Sequence, residues 1–250
     1  MDARKIHVIN LPRRPDRREE FLRRNAGKAE FVFVDAVDGS QLDRASLVED
    51  GVLAADAHHV TDGALGCALS HREVWLACLE AYEPVIVCED DAVLAPDFLR
   101  LADEAMASAP ECEVVLFGYN LDEPVSLYLA DGLLGMMRVA DQITADPLWL
   151  DRYGSVPGAA PSRTTVVRPA VVWGLLCYAL TPLGAARLLS RCFPLRNHDL
   201  QFPPGLVSRG IDGSVLALMQ DGEVKLGCCL PPIAIGPNSD SDTEAGNKRA

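Results

Sequence analysis

The sequence predicts an α/β protein built on a single mixed, mostly parallel sheet flanked by helices, and three observations lead there. Val85-Ile86-Val87-Cys88 and Val114-Val115-Leu116-Phe117 are short, continuous apolar runs, the pattern of strands buried on both faces. These runs alternate with stretches of helical period, as βαβ units do. The chain has 250 residues, 49% of them hydrophobic, which is enough for one large core, and it shows no internal repeat or linker, so a single domain over 1–250 is expected.

The elements follow in order. Ile6-His7-Val8-Ile9 reads as a strand, Pro12 and Pro15 as a turn, Asp16 to Arg24 as a charged helix, and Phe31-Val32-Phe33-Val34 as a second strand. From Gly63 to Tyr82, Leu65, Leu69, Leu76 and Leu79 recur at helical spacing while Cys67, His71, Trp75 and Cys78 make a second face, which predicts a helix buried on two sides. The strand 85–88 runs into Glu89-Asp90-Asp91; Pro96 then opens a helix to about Ala107, and 114–117 reads as the neighbouring strand. Residues 120–170 lack persistent periodicity and read as an inserted, irregular loop region on the acceptor side. Val171 to Leu180 is expected to be one strand, followed by a helix from Leu183 to Cys192, and the tail 240–250 is polar and frayed.

Charge and cysteine use narrow the function classes. The formal net charge is −13, yet residues 1–30 carry nine Lys/Arg against five Asp/Glu, so the remaining 220 residues stand at −17. That field disfavours a nucleic-acid groove or an anionic membrane surface and leaves room for a small anionic ligand near the basic segment. No apolar stretch approaches the ~20 residues of a membrane-spanning helix, and the start of the chain carries no apolar leader, so a cytoplasmic enzyme is expected. The eight cysteines lie within apolar runs without a Cys-x-x-Cys pair, as reduced core cysteines do, and the usual zinc-ligand spacing is absent.

Ligands in open α/β sheets bind beyond the carboxyl ends of the strands, where Glu89-Asp90-Asp91 falls. In extended geometry Glu89 and Asp91 project to one side and Asp90 to the other, so two carboxylates can converge on a hard cation, Mn2+ or Mg2+. Such an ion can bridge a diphosphate and offset the charge of a leaving phosphate. The plain alternative is an acidic run that caps a helix or faces water.

Taken in order, these motifs resemble glycosyltransferase family 25, which includes lipooligosaccharide and procollagen galactosyltransferases. Residues 8–18 (Val-Ile-Asn-Leu-Pro-Arg-Arg-Pro-Asp-Arg-Arg) look like the family's first strand and Arg-rich turn, and residues 34–39 (Val-Asp-Ala-Val-Asp-Gly) like its second-strand motif. Gly66 to His71 is similar to its Gly-Cys-x-x-Ser-His helix, with Trp75 in register, and residues 87–91 to its Glu-Asp-Asp signature. Gly174 to Leu189, through Tyr178, Gly184 and Ala185, together with Ile211-Asp212, Pro231-Pro232 and Ser239 to Glu244, looks like the later segments; a glycine follows Asp212 where the family has a larger residue.

The resemblance implies a GT-A-type nucleotide-sugar-binding fold, a UDP-sugar donor carrying galactose or glucose, usually Mn2+, and inversion at the anomeric carbon. It implies Glu89 and Asp91 as metal ligands. It also implies donor-binding roles for Asn10, Arg13, Arg17, Asp38, Ser70, His71 and Asp90, with Asp90 as a second metal ligand the alternative, and a general-base role for Asp212, since inversion needs a carboxylate near the acceptor hydroxyl, with a metal or acceptor ligand the alternative there. Arg13 and Arg17 suit phosphate oxygens. For Trp149 and Tyr153, stacking on an acceptor sugar and simple loop anchoring both stay open. The charge outside residues 1–30 favours a neutral or cationic acceptor such as a soluble amino sugar over a lipooligosaccharide core. Two other classes compete: a metal-dependent phosphohydrolase or nucleotidyltransferase, and a catalytically silent carbohydrate-binding domain.

Overall fold

The chain enters its sheet at β1 (Lys5–Asn10), crosses through α1 (Pro15–Arg24) and returns in β2 (Glu30–Asp35), parallel to β1 with Asn10 opposite Asp35. Pro15 suits the first helical turn, where its missing N–H has no partner to lose. One side chain of α1, Phe21, is buried, edge-on to Phe31 and Phe33 with centroids 5.0 and 5.9 Å away, and it fixes the helix on the sheet. This is the βαβ unit expected from the first 35 residues. The coordinates are a computed structural model that describes residues 5–130, 133–138, 146–202, 207–208 and 210–237.

The chain continues through α2 (Arg44–Glu49) into α3 (Asp62–Ala81), which Thr61 caps by accepting the Ala64 N–H at 3.1 Å. Next come β3 (Val85–Glu89), β4 (Val93–Leu94), α4 (Phe98–Ser108) and β5 (Val114–Gly118). Then follow β6 (Val125–Ala130), β7 (Leu133–Met137), α5 (Pro147–Ser155), β8 (Thr165–Val167), β9 (Pro169–Val171) and β10 (Cys177–Leu180). The described chain closes with α6 (Pro182–Cys192), β11 (His198–Asp199), β12 (Val207–Ser208), α7 (Ile211–Gln220), β13 (Leu226–Leu230) and β14 (Ala234–Ile235).

The main sheet has the order β2-β1-β3-β10-β5-β13-β8. Five of its strands point one way, while β10 and β8 run against them. It is the mixed, mostly parallel sheet with flanking helices that the sequence predicts, and it is consistent with a GT-A-type arrangement. The apolar runs 85–88 and 114–117 are indeed buried strands.

Five local readings are corrected. Residues 171–180 do not form one strand: Val171 ends β9, which pairs with β6 in a separate small sheet, and the chain reaches the main sheet only at Cys177. The break centres on Gly174, whose φ of +86° interrupts extended backbone. Strand β10 then inserts antiparallel between β3 and β5, so those two strands are not neighbours. The helix after Pro96 starts at Phe98. In α3 the leucine face stops short of Leu79, which is exposed. Residues 120–170 hold a hairpin, β6–β7, and a helix, α5, more regular structure than their composition suggests. The 131–132 and 139–145 stretches, the tail from 240 and the motif residues Ser239 to Glu244 lie outside the described residues.

All eight cysteines are free thiols. Among the described residues no helix is long and apolar enough to cross a membrane.

Candidate active site

Strands β1, β2 and β3 run parallel and stop at Asn10, Asp35 and Glu89, so their carboxyl ends open on one edge of the sheet. The main chain turns there directly after Glu89, with the Ala92 N–H donating to the Glu89 carbonyl at 3.3 Å. Helix α1 holds the outgoing strand in place. The residue that caps its C-terminus, Asn25, fully buried, donates to the Ala92 carbonyl (2.8 Å) and accepts from the Leu94 N–H (2.9 Å), as a neighbouring strand would.

The three acidic side chains have different surroundings. Asp90 is buried and saturated: Asn10 Nδ2 donates to its Oδ2 at 2.6 Å, and Arg17 Nη2 lies 2.8 Å from its Oδ1. The same Arg17 nitrogen lies 3.1 Å from Asp91 Oδ2. Asp91 Oδ1, by contrast, is buried and has no hydrogen-bond partner among the described residues. Burial, then the nearby charge of Glu89, raises the Asp91 carboxyl to about 7 against the pull of Arg17. Glu89 is about one-third exposed.

Asp212 joins this cluster from more than 120 residues along the chain. It sits in the first turn of α7, where the Gly213 N–H donates to its Oδ1 at 2.8 Å and the Gly174 N–H also donates to the carboxylate. Burial raises its pKa; those two amides lower it, and the charge of Glu89 raises it further. The break at Gly174 thus turns one backbone amide toward Asp212, while two residues later the Leu176 carbonyl accepts the Glu89 N–H at 2.8 Å. A single loop ties the acidic turn to α7. Glu89, Asp90, Asp91 and Asp212 set four carboxylates against the Arg17 guanidinium, an excess of negative charge suited to a cation.

Helix α3 forms another wall. His71 is buried, with Nδ1 2.9 Å from Tyr178 Oη and Nε2 3.5 Å from Glu89 Oε1, and Trp75 Nε1 donates to the same Tyr178 oxygen at 2.7 Å. Ser70 accepts from the Val37 N–H (2.9 Å) and donates to the Gly66 carbonyl (2.7 Å), pinning the loop after β2 to α3. Gly66 permits this close approach, because a Cβ there would stand 2.6 Å from the Val37 carbonyl oxygen. On that loop Asp38 accepts from Ser40 and lies 3.0 Å from Arg13 Nε, at the more exposed rim.

Asn10, Arg17, His71, Glu89, Asp90, Asp91 and Asp212 are thus brought together; Arg13 and Asp38 pair beside them, and Ser70 works inside the wall. Tyr153 is buried on α5 and donates to the Pro232 carbonyl at 2.9 Å, so it anchors its helix. Cys67, one turn before His71, escaped the sequence reading as a site residue. Its thiol is pushed well up by burial and then by the charges of Glu89, Asp212 and Asp91, which places it among them. The i,i+4 spacing of Cys67 and His71 on one helix was the available signal.

Residues 3–126 match the sequence profile described as "Glycosyltransferase family 25 (LPS biosynthesis protein)", a span that contains every motif from β1 to the acidic turn. The chain belongs to glycosyltransferase family 25. A glycosyltransferase 25 family member of Anopheles gambiae is 34% identical over 193 residues, 74% of this chain and 28% of the relative. Human procollagen galactosyltransferase 2 is 30% identical over 126 residues, 45% of the chain and 20% of the relative. The human protein named inactive glycosyltransferase 25 family member 3 is also 30% identical, over 148 residues, 53% of the chain and 24% of the relative. The matched segment thus spans less than a third of each of these family 25 relatives. One bears a name that denies it activity, so turnover has to be argued from the site.

Proposed function

We propose that this family 25 member transfers a hexose, galactose or glucose, from a UDP-sugar to an acceptor hydroxyl with inversion, using a hard divalent cation held by Glu89 and Asp91. The observation that carries this reading is Asp91 Oδ1, a buried carboxylate oxygen without a hydrogen-bond partner among the described residues, beside Glu89 at the carboxyl edge of the sheet. A buried acceptor left unpaired costs about 1–3 kcal/mol, and a bound cation removes that cost. The donor set fits the ion: two carboxylates offer hard oxygens to Mn2+ or Mg2+, whereas both oxygens of Asp90 are already engaged. When bound, such an ion supplies electrostatic stabilisation to the departing diphosphate.

The chain's own residues account for the remaining steps. Arg17 holds Asp90 and Asp91 in register and offsets part of their charge. Arg13, half exposed at the rim and paired with Asp38, presents its guanidinium to phosphate oxygens of the donor. Asn10, Asp38, Ser70, His71 and Asp90 shape the donor pocket, Ser70 by holding the 36–40 loop. Asp212, oriented by two backbone amides and made more basic by burial, accepts the proton of the attacking acceptor hydroxyl. The negative field outside the first 30 residues favours a neutral or cationic acceptor, with a soluble amino sugar preferred to a lipooligosaccharide core.

The test is incubation with a panel of nucleotide sugars and both acceptor classes, with Mn2+ and with chelator. Transfer accompanied by free UDP, lost on chelation and in Asp91→Asn, is expected. Release of monophosphate or pyrophosphate points to a phosphohydrolase or nucleotidyltransferase instead, and the absence of any metal-dependent turnover to a silent binding domain. Preference for an anionic core oligosaccharide overturns the acceptor assignment.

A further inference from the structure

We propose that Cys67 Sγ, His71 Nε2 and Glu89 form a second metal site, for a transition-metal ion of the Zn2+ class, and that its occupation stops sugar transfer by withdrawing Glu89. The effect on transfer rests on the function proposed above; the site itself does not. One ligand atom from each of the three residues lies within 4.8 Å of the other two. His71 Nε2 and Glu89 Oε1 stand 3.5 Å apart, too long for a good hydrogen bond. It is close to the separation of about 3.3 Å expected for two ligands 2.0–2.1 Å from one tetrahedral ion.

Cys67 and His71 are one turn apart on α3 and share a face, while Glu89 reaches them from the end of β3. Ligation through Nε2 leaves Nδ1–H to donate to Tyr178 Oη at 2.9 Å, an oxygen with two lone pairs whose other donor is Trp75. A ring held through its second nitrogen is the usual support of a metal-bound histidine. Ligation by Sγ releases the thiol proton to solvent. A mixed thiolate, imidazole and carboxylate set favours Zn2+ over Mn2+ or Mg2+, so the two sites share Glu89 and differ in the ion they select.

Titrating the chelator-stripped full chain with Co2+, a spectroscopic stand-in for Zn2+, tests the site. We expect a thiolate-to-metal absorption band that Zn2+ bleaches, that Cys67→Ser abolishes and that Asp91→Asn keeps. Zinc affinity is expected to fall at least tenfold in Cys67→Ser and also in Glu89→Gln, a substitution at a partly exposed side chain that reports on the site even if the cysteine variant misfolds. Co2+ binding without the band, a band that survives Cys67→Ser, or a loss in Asp91→Asn equal to that in Cys67→Ser overturns the site. In the Mn2+-loaded enzyme, Cys67→Ser should need at least tenfold more Zn2+ to halve its own zinc-free rate; equal sensitivity overturns the switch. A chain without transfer on any donor sinks the transferase reading and the switch with it, while the absorption band still decides the site.

Discussion

Two residues of the acidic edge carry opposite burdens. Asp91 has a folded pKa near 7, raised above its unfolded value, so in the metal-free protein its contribution to stability is fully present below about pH 4 and is lost as pH rises through 7. Asp91→Asn should therefore stabilise the chelator-treated protein at pH 8, by about 1–3 kcal/mol, and leave it nearly unchanged at pH 4. Thermal melts at the two pH values check this, and equal shifts at both would remove the account of Asp91 as a charge awaiting a cation. Asp212 acts on the acceptor in the proposed reaction, so Asp212→Asn should lower kcat by roughly 10²–10⁴ with Mn2+ affinity unchanged. Calorimetric metal titration beside steady-state rates separates the two effects. The acidic run was legible because three carboxylates follow a buried strand; the division of labour among them was not, since it depends on Asn10 and Arg17 arriving from β1 and α1.

At the scale of elements, the site is held by contacts between pieces distant in sequence. The end of α1 supports the strand that leaves the acidic turn through Asn25, whose side-chain bonds to Ala92 and Leu94 are buried. Asn25→Ala should cost about 2–4 kcal/mol, since each abandoned buried group costs about 1–3 kcal/mol. Urea unfolding measures that loss, and a change below 0.5 kcal/mol, roughly the size of a neutral surface substitution, would show that the clamp is dispensable. Helix α3 lies this close on the 36–40 loop because neither Gly66 nor Gly39 has a side chain. Gly66→Ala should therefore push the loop away and break the bond from Val37 to Ser70. We expect a lower melting temperature together with weaker donor binding, read by calorimetry with UDP; unchanged affinity would separate the loop from the donor pocket. The helical period of α3 was readable, yet its outer face was overestimated at Leu79, because periodicity counts apolar residues without knowing which side meets the sheet.

For the whole molecule, local pattern and tertiary structure made separate contributions. The α/β class, the first βαβ unit and the two central strands were readable because burial on both faces forces continuous apolar runs, a constraint local to each segment. Strand order was not readable. The antiparallel insertion of β10 between β3 and β5 joins segments some 60 to 90 residues apart, and no local signal carries that pairing. Cys67 was hidden for a related reason: zinc spacing was sought within one short segment, whereas the third ligand of its cluster comes from a separate strand. Residue types and period told which chemistry the chain carries, acidic oxygens after a strand and a motif order shared with family 25. Folding chose which of those groups meet, since Asp212 reaches Glu89 only through the turn at Gly174 and the seating of α7, and charges interact by their distance in space, whatever their separation in sequence.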